Sequence, residues 1–222
     1  RGLTLNVPAA SGLVADLGGG SVEIVALKKG EIQHSVSLNY GHLSTADEAE
    51  IITALTQIGW IKTFAAEQLF GVGGSFRALG LAFIERESYP LPVLHGLKVS
   101  NDKALALCND FIQPESALEG VPFVRRKTMP MATRIIRAII NVSSVRRVIV
   151  SGTSIRDGVL AANELNETQR ADFLVAISQE IAGTSFRFAG AADALKHFLR
   201  PLTIGRKPRF ARLLYVACDL AD

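Results

Sequence analysis

The chain has 222 residues, 48% of them hydrophobic and 20% charged, with a formal net charge of +3 and a mean hydropathy of +0.26. This composition excludes disordered, collagen-like and low-complexity chains and leaves room for a sizeable core. No run approaches the roughly 18 consecutive apolar residues of a membrane helix, and no basic segment leads into an apolar one at the start, so neither a membrane span nor a secretory signal is expected.

Residues 12–17 form a short apolar run that ends in a glycine cluster. Residues 21–27 and 31–38 alternate in polarity around Lys28-Lys29-Gly30, the pattern of two strands joined by a hairpin turn. Thr45-Ala46-Asp47-Glu48 reads as a capping box opening one long helix, with Ile51, Ile52, Leu55, Ile58 and Ile61 on its apolar face. A brief strand over 69–72 turns through Gly73-Gly74-Ser75 into a helix containing Arg77, Leu79 and Phe83. Another helix starts at Ser100-Asn101-Asp102 and runs through Phe111, and a further one starts near Pro130 and runs to Ile140. A strand at 147–150 enters a helix through Ser151-Gly152-Thr153-Ser154. Strands alternating with helices predict an α/β domain. After Asn166 the pattern is all helix, over 167–181, 191–199 and 209–220, which places a domain change near residue 165.

Charge is unevenly distributed. Residues 1–120 hold 8 basic and 13 acidic side chains, and residues 121–222 hold 16 basic and 8 acidic. Eight Lys or Arg and no carboxylate lie between Arg125 and Arg156. Such a stretch attracts polyanions, although composition alone favours separate solvated helix faces. Only 7% of residues are aromatic and none interleaves with the arginines, so no nucleic-acid stacking platform is expected. Cys108 and Cys218 are far apart without a CxxC, which reads as two buried thiols in a reducing cytoplasm. His34, His42, His95 and His197 show no metal-ligand spacing.

Three glycine turns carry the chemistry. The first, Asp16-Leu17-Gly18-Gly19-Gly20-Ser21-Val22-Glu23, lets the backbone bring N–H groups close to an anion. Antiparallel pairing of its flanking strands would set Asp16 and Glu23 on one face, about 5 Å apart. Two hard oxygen ligands beside a phosphate cradle suit Mg²⁺, which retains several waters. The second, Gly71-Val72-Gly73-Gly74-Ser75, offers the N–H groups and partial positive charge of a helix start. The third, residues 150–158, repeats the form with Arg156 in its first helical turn. None has the spacing of a P-loop or of a dinucleotide-binding fingerprint.

These three turns in this order resemble the exopolyphosphatase / guanosine pentaphosphate phosphohydrolase (Ppx/GppA) family of the actin-like ATPase superfamily. Arg125-Arg126-Lys127-Thr128-Met129-Pro130-Met131-Ala132 is similar to that family's Arg-Arg-Ala-Asp-Thr-Leu-Pro-hydrophobic-Ala stretch. The resemblance covers most of residues 12–160. It implies an α/β fold, the second lobe of an actin-like (ribonuclease H-like) ATPase over residues 1–165, followed over 166–222 by the beginning of a helical HD-like C-terminal domain. It further implies Mg²⁺-dependent release of the terminal phosphate of inorganic polyphosphate, or of the 5′-γ-phosphate of guanosine pentaphosphate, in the cytoplasm, with dimers common. Asp16 and Glu23 would be the metal- and water-organising carboxylates. Gly18, Gly19, Gly20 and Ser21 would hold phosphate, Gly73, Gly74 and Ser75 would add a further contact, and Arg156 would touch substrate or the other lobe.

The third turn departs from the family in having Ser154 for Gly and Asp157 for Glu. The family's first lobe carries an Asp-hydrophobic-Gly-Ser-Asn loop and a Glu proposed as general base, whereas residues 1–11 contain no acid and no initiator Met. The expectation is a fragment beginning inside a longer protein, nearly inactive alone. A phosphate- or nucleotide-binding regulator and a small-molecule kinase of the same superfamily are the alternatives.

Overall fold

The computed structural model describes residues 2–112, 118–164, 166, 172–185, 188 and 190–221. They fall into two compact units, Gly2–Asp157 and Gly158–Asp222. Residue 165, where the sequence pattern changes, and residues 167–171, the first part of an expected helix, lie outside the described residues.

In the first unit, Leu13, Ala15 and Leu17 of β1 (Gly12–Leu17) and Val22, Ile24 and Ala26 of β2 (Val22–Lys28) point to one side and are almost fully buried. Val14 and Val25 point to the other. The turn between β2 and β3 (Glu31–Leu38) has Lys29 at φ 53° and Gly30 at φ 84°, the left-handed pair that matches strand twist. A short helix α1 (Gly2–Asn6) precedes them. The strands β4 (Gln68–Val72), β5 (Lys98–Ser100) and β6 (Arg147–Val150) complete a six-stranded sheet of order β3-β2-β1-β4-β6-β5. β1, β4 and β6 run parallel, and every other pair is antiparallel.

The larger core lies on the side of Leu13 and Ile24, under α2 (Glu48–Gln57), α3 (Gly59–Thr63), α4 (Gly74–Arg86), α5 (Asn101–Ile112) and α7 (Met129–Ser143). The four-residue α6 (Phe123–Arg126) leads into α7. A smaller cluster of Leu3, Ala10, Leu27, Phe70 and Ile149 occupies the other face. After β6 comes α8 (Ile155–Glu164).

Three local expectations are corrected. The helix cap is Asp47 rather than Thr45, and its carboxylate accepts from the Glu50 N–H at 2.8 Å. The N-cap therefore stands two residues later than expected, at Asp47. The single long helix is two, because Ile58 takes a non-helical conformation before Gly59. The edge strand β5 was not expected, since three residues alternate too briefly to give a periodic signal.

The second unit contains α9 (Phe173–Ser185), α10 (Ala191–Leu199), a 3₁₀ turn (Arg200–Thr203) and α11 (Pro208–Asp219). Arg212 clasps Asp172 with two hydrogen bonds of 2.5 Å, tying α11 to the start of α9. Buried Asp219 accepts from Ser178 Oγ at 3.0 Å and pairs with Lys196. Cys108 and Cys218 are buried free thiols. Among the described residues no helix is long and apolar enough to cross a membrane.

In the first unit Arg137 of α7 makes a polar tie to two other helices. It donates to both Glu48 oxygens, through Nε at 2.7 Å and through Nη2, and to Asn109 Oδ1 at 2.6 Å. One side chain thus joins α7 to α2 and α5. Arg137→Ala leaves a half-buried Glu48 without its cation and is expected to cost about 1–3 kcal/mol. Urea unfolding would show this as a lower midpoint at unchanged slope.

Candidate active site

Because β1, β4 and β6 are parallel, their C-terminal ends share one edge of the sheet, and all three glycine turns open there. This is where α/β sheets commonly bind ligands. Asp16 is the direct cross-strand partner of Glu23, and Glu23 is that of Ser37. The three side chains form a row across β1, β2 and β3, on the face opposite the larger core.

Glu23 Oε1 accepts from Ser21 Oγ at 2.6 Å and from Ser37 Oγ at 3.1 Å, which fixes its carboxylate. Asp16 is pushed above the usual Asp range, first by burial and then by the facing Glu23, with Arg77 pulling the other way. A cation beside Asp16 would relieve the like charge of the facing Glu23. Among the described residues no group of three or more His, Cys, Asp or Glu converges. The donor set therefore fits Mg²⁺ completed by water and phosphate oxygens, not a cage built wholly from protein.

The first two turns are knit together. Gly73 has φ 95°, and a Cβ there would stand 3.0 Å from Asp16 Oδ1 and 3.1 Å from the Leu17 carbonyl oxygen. The second turn thus lies directly against the first carboxylate. A third segment, residues 41–43, backs the glycine run: His42 N–H donates to Gly18 O at 3.1 Å and Leu43 N–H to Gly19 O at 2.9 Å. Gly41 passes so close that a Cβ would meet Gly19 O at 2.0 Å. Among the described residues the N–H groups of Gly19 and Gly20 make no hydrogen bond within the chain, and α4 begins without a side-chain cap. Both turns therefore offer N–H donors beside the carboxylate row.

Sequence reasoning missed three residues here. Arg125 packs on the start of α4, since a Cβ on Gly74 would meet its guanidinium at 2.5 Å. Arg77, in the first turn of α4, exerts its charge on both Asp16 and Asp157. His42 Nδ1 lies 3.5 Å from the hydroxyl of buried Ser75, and burial with nearby Arg125 holds its ring below the usual His range and therefore neutral at pH 7. Arg125 was visible as part of a basic run and of the stretch that resembles the family's, though not as a site residue; Arg77 was visible only as a helix residue, and His42 gave no signal.

The third turn is occupied with itself. Ser151 N–H donates to Gly71 O at 2.8 Å, and Gly152 N–H to His95 Nδ1 at 3.1 Å. Ser154 and Asp157 form a capping box: Asp157 Oδ2 accepts from the Ser154 N–H at 2.7 Å, and Ser154 Oγ accepts from the Arg156 N–H at 3.2 Å. That N–H, chiefly, holds the Asp157 carboxyl below the usual range. The two departures from the family pattern are thus matched to each other. Arg156 is exposed in the first turn of α8.

The basic run does not form one stripe. Arg125 is at the glycine turns and Arg137 is spent on Glu48. Arg146 and Arg147 stand at the opposite end of the sheet, 4.0 and 3.8 Å from Glu67.

Two outcomes follow. A carboxyl raised in the fold binds protons more tightly there than in the unfolded chain, so Asp16 withdraws stability as pH rises above its ordinary value of 3.8. Asp16→Asn is therefore expected to melt higher than the native chain at pH 7, with the gap closing as pH falls towards that value. Equal melting temperatures at pH 7 would contradict the strained pair. Gly41→Ala displaces Gly19 and Gly20 and is expected to destabilise by about 1–3 kcal/mol, while selectively broadening or shifting the NMR amide signals of residues 18–21.

A family model described as the Ppx/GppA phosphatase family matches residues 1–167. Among solved structures, the chain is similar to the Aquifex aeolicus Ppx/GppA phosphatase in its type II variant, at 19% identity and a TM-score of 0.58. It is also similar to an exopolyphosphatase from Cytophaga hutchinsonii, at 22% identity and a TM-score of 0.61. Each alignment covers 73% of this chain and 60% of the other, so the chain spans less than two thirds of either protein. At these identities the likeness establishes the actin-like α/β fold. No curated protein matches the chain.

Proposed function

The chain belongs to the Ppx/GppA phosphatase family, and from that premise we propose that the protein containing it is a Mg²⁺-dependent phosphohydrolase. Its substrates would be inorganic polyphosphate, losing terminal orthophosphate, or guanosine pentaphosphate, losing its 5′-γ-phosphate. The observation that carries this reading is the row Asp16, Glu23 and Ser37 facing the open N–H groups of two glycine turns.

In this reading the terminal phosphoryl group rests on the N–H groups of Gly19, Gly20 and the first turn of α4. Arg125 and Arg77 offset the charge that gathers on its oxygens. Glu23, locked as an acceptor by Ser21 and Ser37, and Asp16, raised by burial, orient a water for in-line attack. Mg²⁺, when bound at this pair, would neutralise phosphate charge and stabilise the transition state. Ser75, held near neutral His42, completes the floor of the cradle. Arg156, exposed beyond the third turn, would meet the substrate chain or the other lobe. The general base would come from a lobe outside residues 1–222, so the isolated chain would be nearly inactive. The two buried thiols suit a cytoplasmic setting.

The test is Mg²⁺-dependent orthophosphate release by the full-length protein, with polyphosphate and guanosine pentaphosphate side by side. An Asp16→Asn, Glu23→Gln double variant is expected to lose on the order of 10²-fold or more, and Arg125→Ala on the order of 10-fold or more. The faster substrate names the enzyme. No release from either substrate would overturn the reading in favour of a phosphate-binding regulator or a kinase.

A further inference from the structure

At the other end of the sheet, where β1, β4 and β6 begin and β2 ends, there is a cavity of about 600 Å³. It lies roughly 13 Å from Asp16 along β1, four residues at about 3.3 Å each. Its size is that of a small-molecule site, for which about 300–1,000 Å³ is usual.

One wall is the hairpin turn, with Lys28 and Lys29. The turn is fixed, because the Lys29 N–H donates to Ser11 Oγ at 2.8 Å. Gln68 Nε2 donates to Ser11 O at 2.9 Å and ties the start of β4 to that of β1. The apolar part of the lining includes Phe64 and Ala66, whose segment is closed by an Ala66 N–H to Phe64 O bond of 2.7 Å. Arg147 enters from β6.

Among the described residues Glu67 is the one carboxylate that lines this space, against three cations. It stands 4.0 Å from Arg146 and 3.8 Å from Arg147, contacts too long for hydrogen bonds. The Arg147 guanidinium therefore has donors to spare, and the two lysines contribute a net positive field. A lining that carries both a net positive charge and the apolar side chains of Phe64 and Ala66 suits an amphipathic ligand.

We propose that this cavity is a second anion site, separate from the glycine turns, which takes a small molecule with a phosphate head and a flat apolar body. Phosphate sits among Lys28, Lys29 and Arg147, and the body lies on Phe64 and Ala66. The inference does not depend on the phosphohydrolase reading, and its test leaves catalysis aside.

The experiment is an NMR amide titration of the whole chain with phenyl phosphate, with orthophosphate and benzyl alcohol as comparison probes. Lys28, Lys29, residues 64–68 and Arg147 are expected to shift together on one saturation curve. Phenyl phosphate should bind at least fivefold tighter than either comparison probe. A Lys28→Gln, Arg147→Gln double variant should weaken that curve at least tenfold, while any shifts at residues 18–21 and 73–75 persist. If circular dichroism shows the double variant unfolded, Lys29→Gly, suited to the φ of 53° at that position, should weaken it at least threefold. Shifts confined to the glycine turns, no saturable shift at Lys28 and Lys29, equal binding of benzyl alcohol, or unchanged affinity in a folded variant would each overturn the proposal.

Discussion

The arrangement at the top of the sheet depends on one register. Asp16 faces Glu23 because β1 and β2 pair with Gly12 opposite Leu27 and Leu17 opposite Val22. A slip of β2 by one residue would turn Glu23 into the core and bring Val22, Ile24 and Ala26 out of it. The burial of that core therefore enforces the carboxylate pair. The pair is in turn a local source of strain, since burial and like charge both resist the ionisation of Asp16. Strain held in place by a well-packed core is the usual condition of a functional site.

Close approaches at glycine extend this constraint. Gly41 passes against the Gly19 backbone, Gly73 against the Asp16 carboxylate and the Leu17 carbonyl, and Gly74 against the Arg125 guanidinium, so none of the three positions has room for a Cβ. The first two turns keep N–H donors open, whereas the third has closed on itself through His95 and the Ser154–Asp157 cap. The glycine turns are alike in sequence but not in what they leave available. The first two belong to the cradle. The third is a helix start that presents Arg156.

Much of this was legible in the sequence. A short apolar run located β1 and polarity alternation located β2 and β3, and the Asp-Leu-Gly-Gly-Gly-Ser hairpin predicted the facing carboxylates, because antiparallel register follows from a short turn. What was not legible depended on distance in the chain. Arg125 reaches Gly74 from a segment about fifty residues later, and no local pattern announces such a contact. His42 lies in a loop whose only task visible from sequence was to connect. The division of the basic run was equally hidden, because the strand direction of β6 decides which arginines face the turns. Local propensity also misplaced the cap of α2, where Thr45 and Asp47 are both good N-caps and only the Asp47 to Glu50 hydrogen bond separates them.

The central claim is that Asp16 and Glu23 act as one oxygen-donor pair toward a divalent cation beside phosphate. Electron paramagnetic resonance of Mn²⁺, titrated into the chain with orthophosphate present, tests it most directly and needs no turnover. The account predicts one Mn²⁺ site that Mg²⁺ displaces, strengthened by orthophosphate and lost in both Asp16→Asn and Glu23→Gln. Mn²⁺ binding that survives both substitutions, or that is indifferent to orthophosphate, would contradict it.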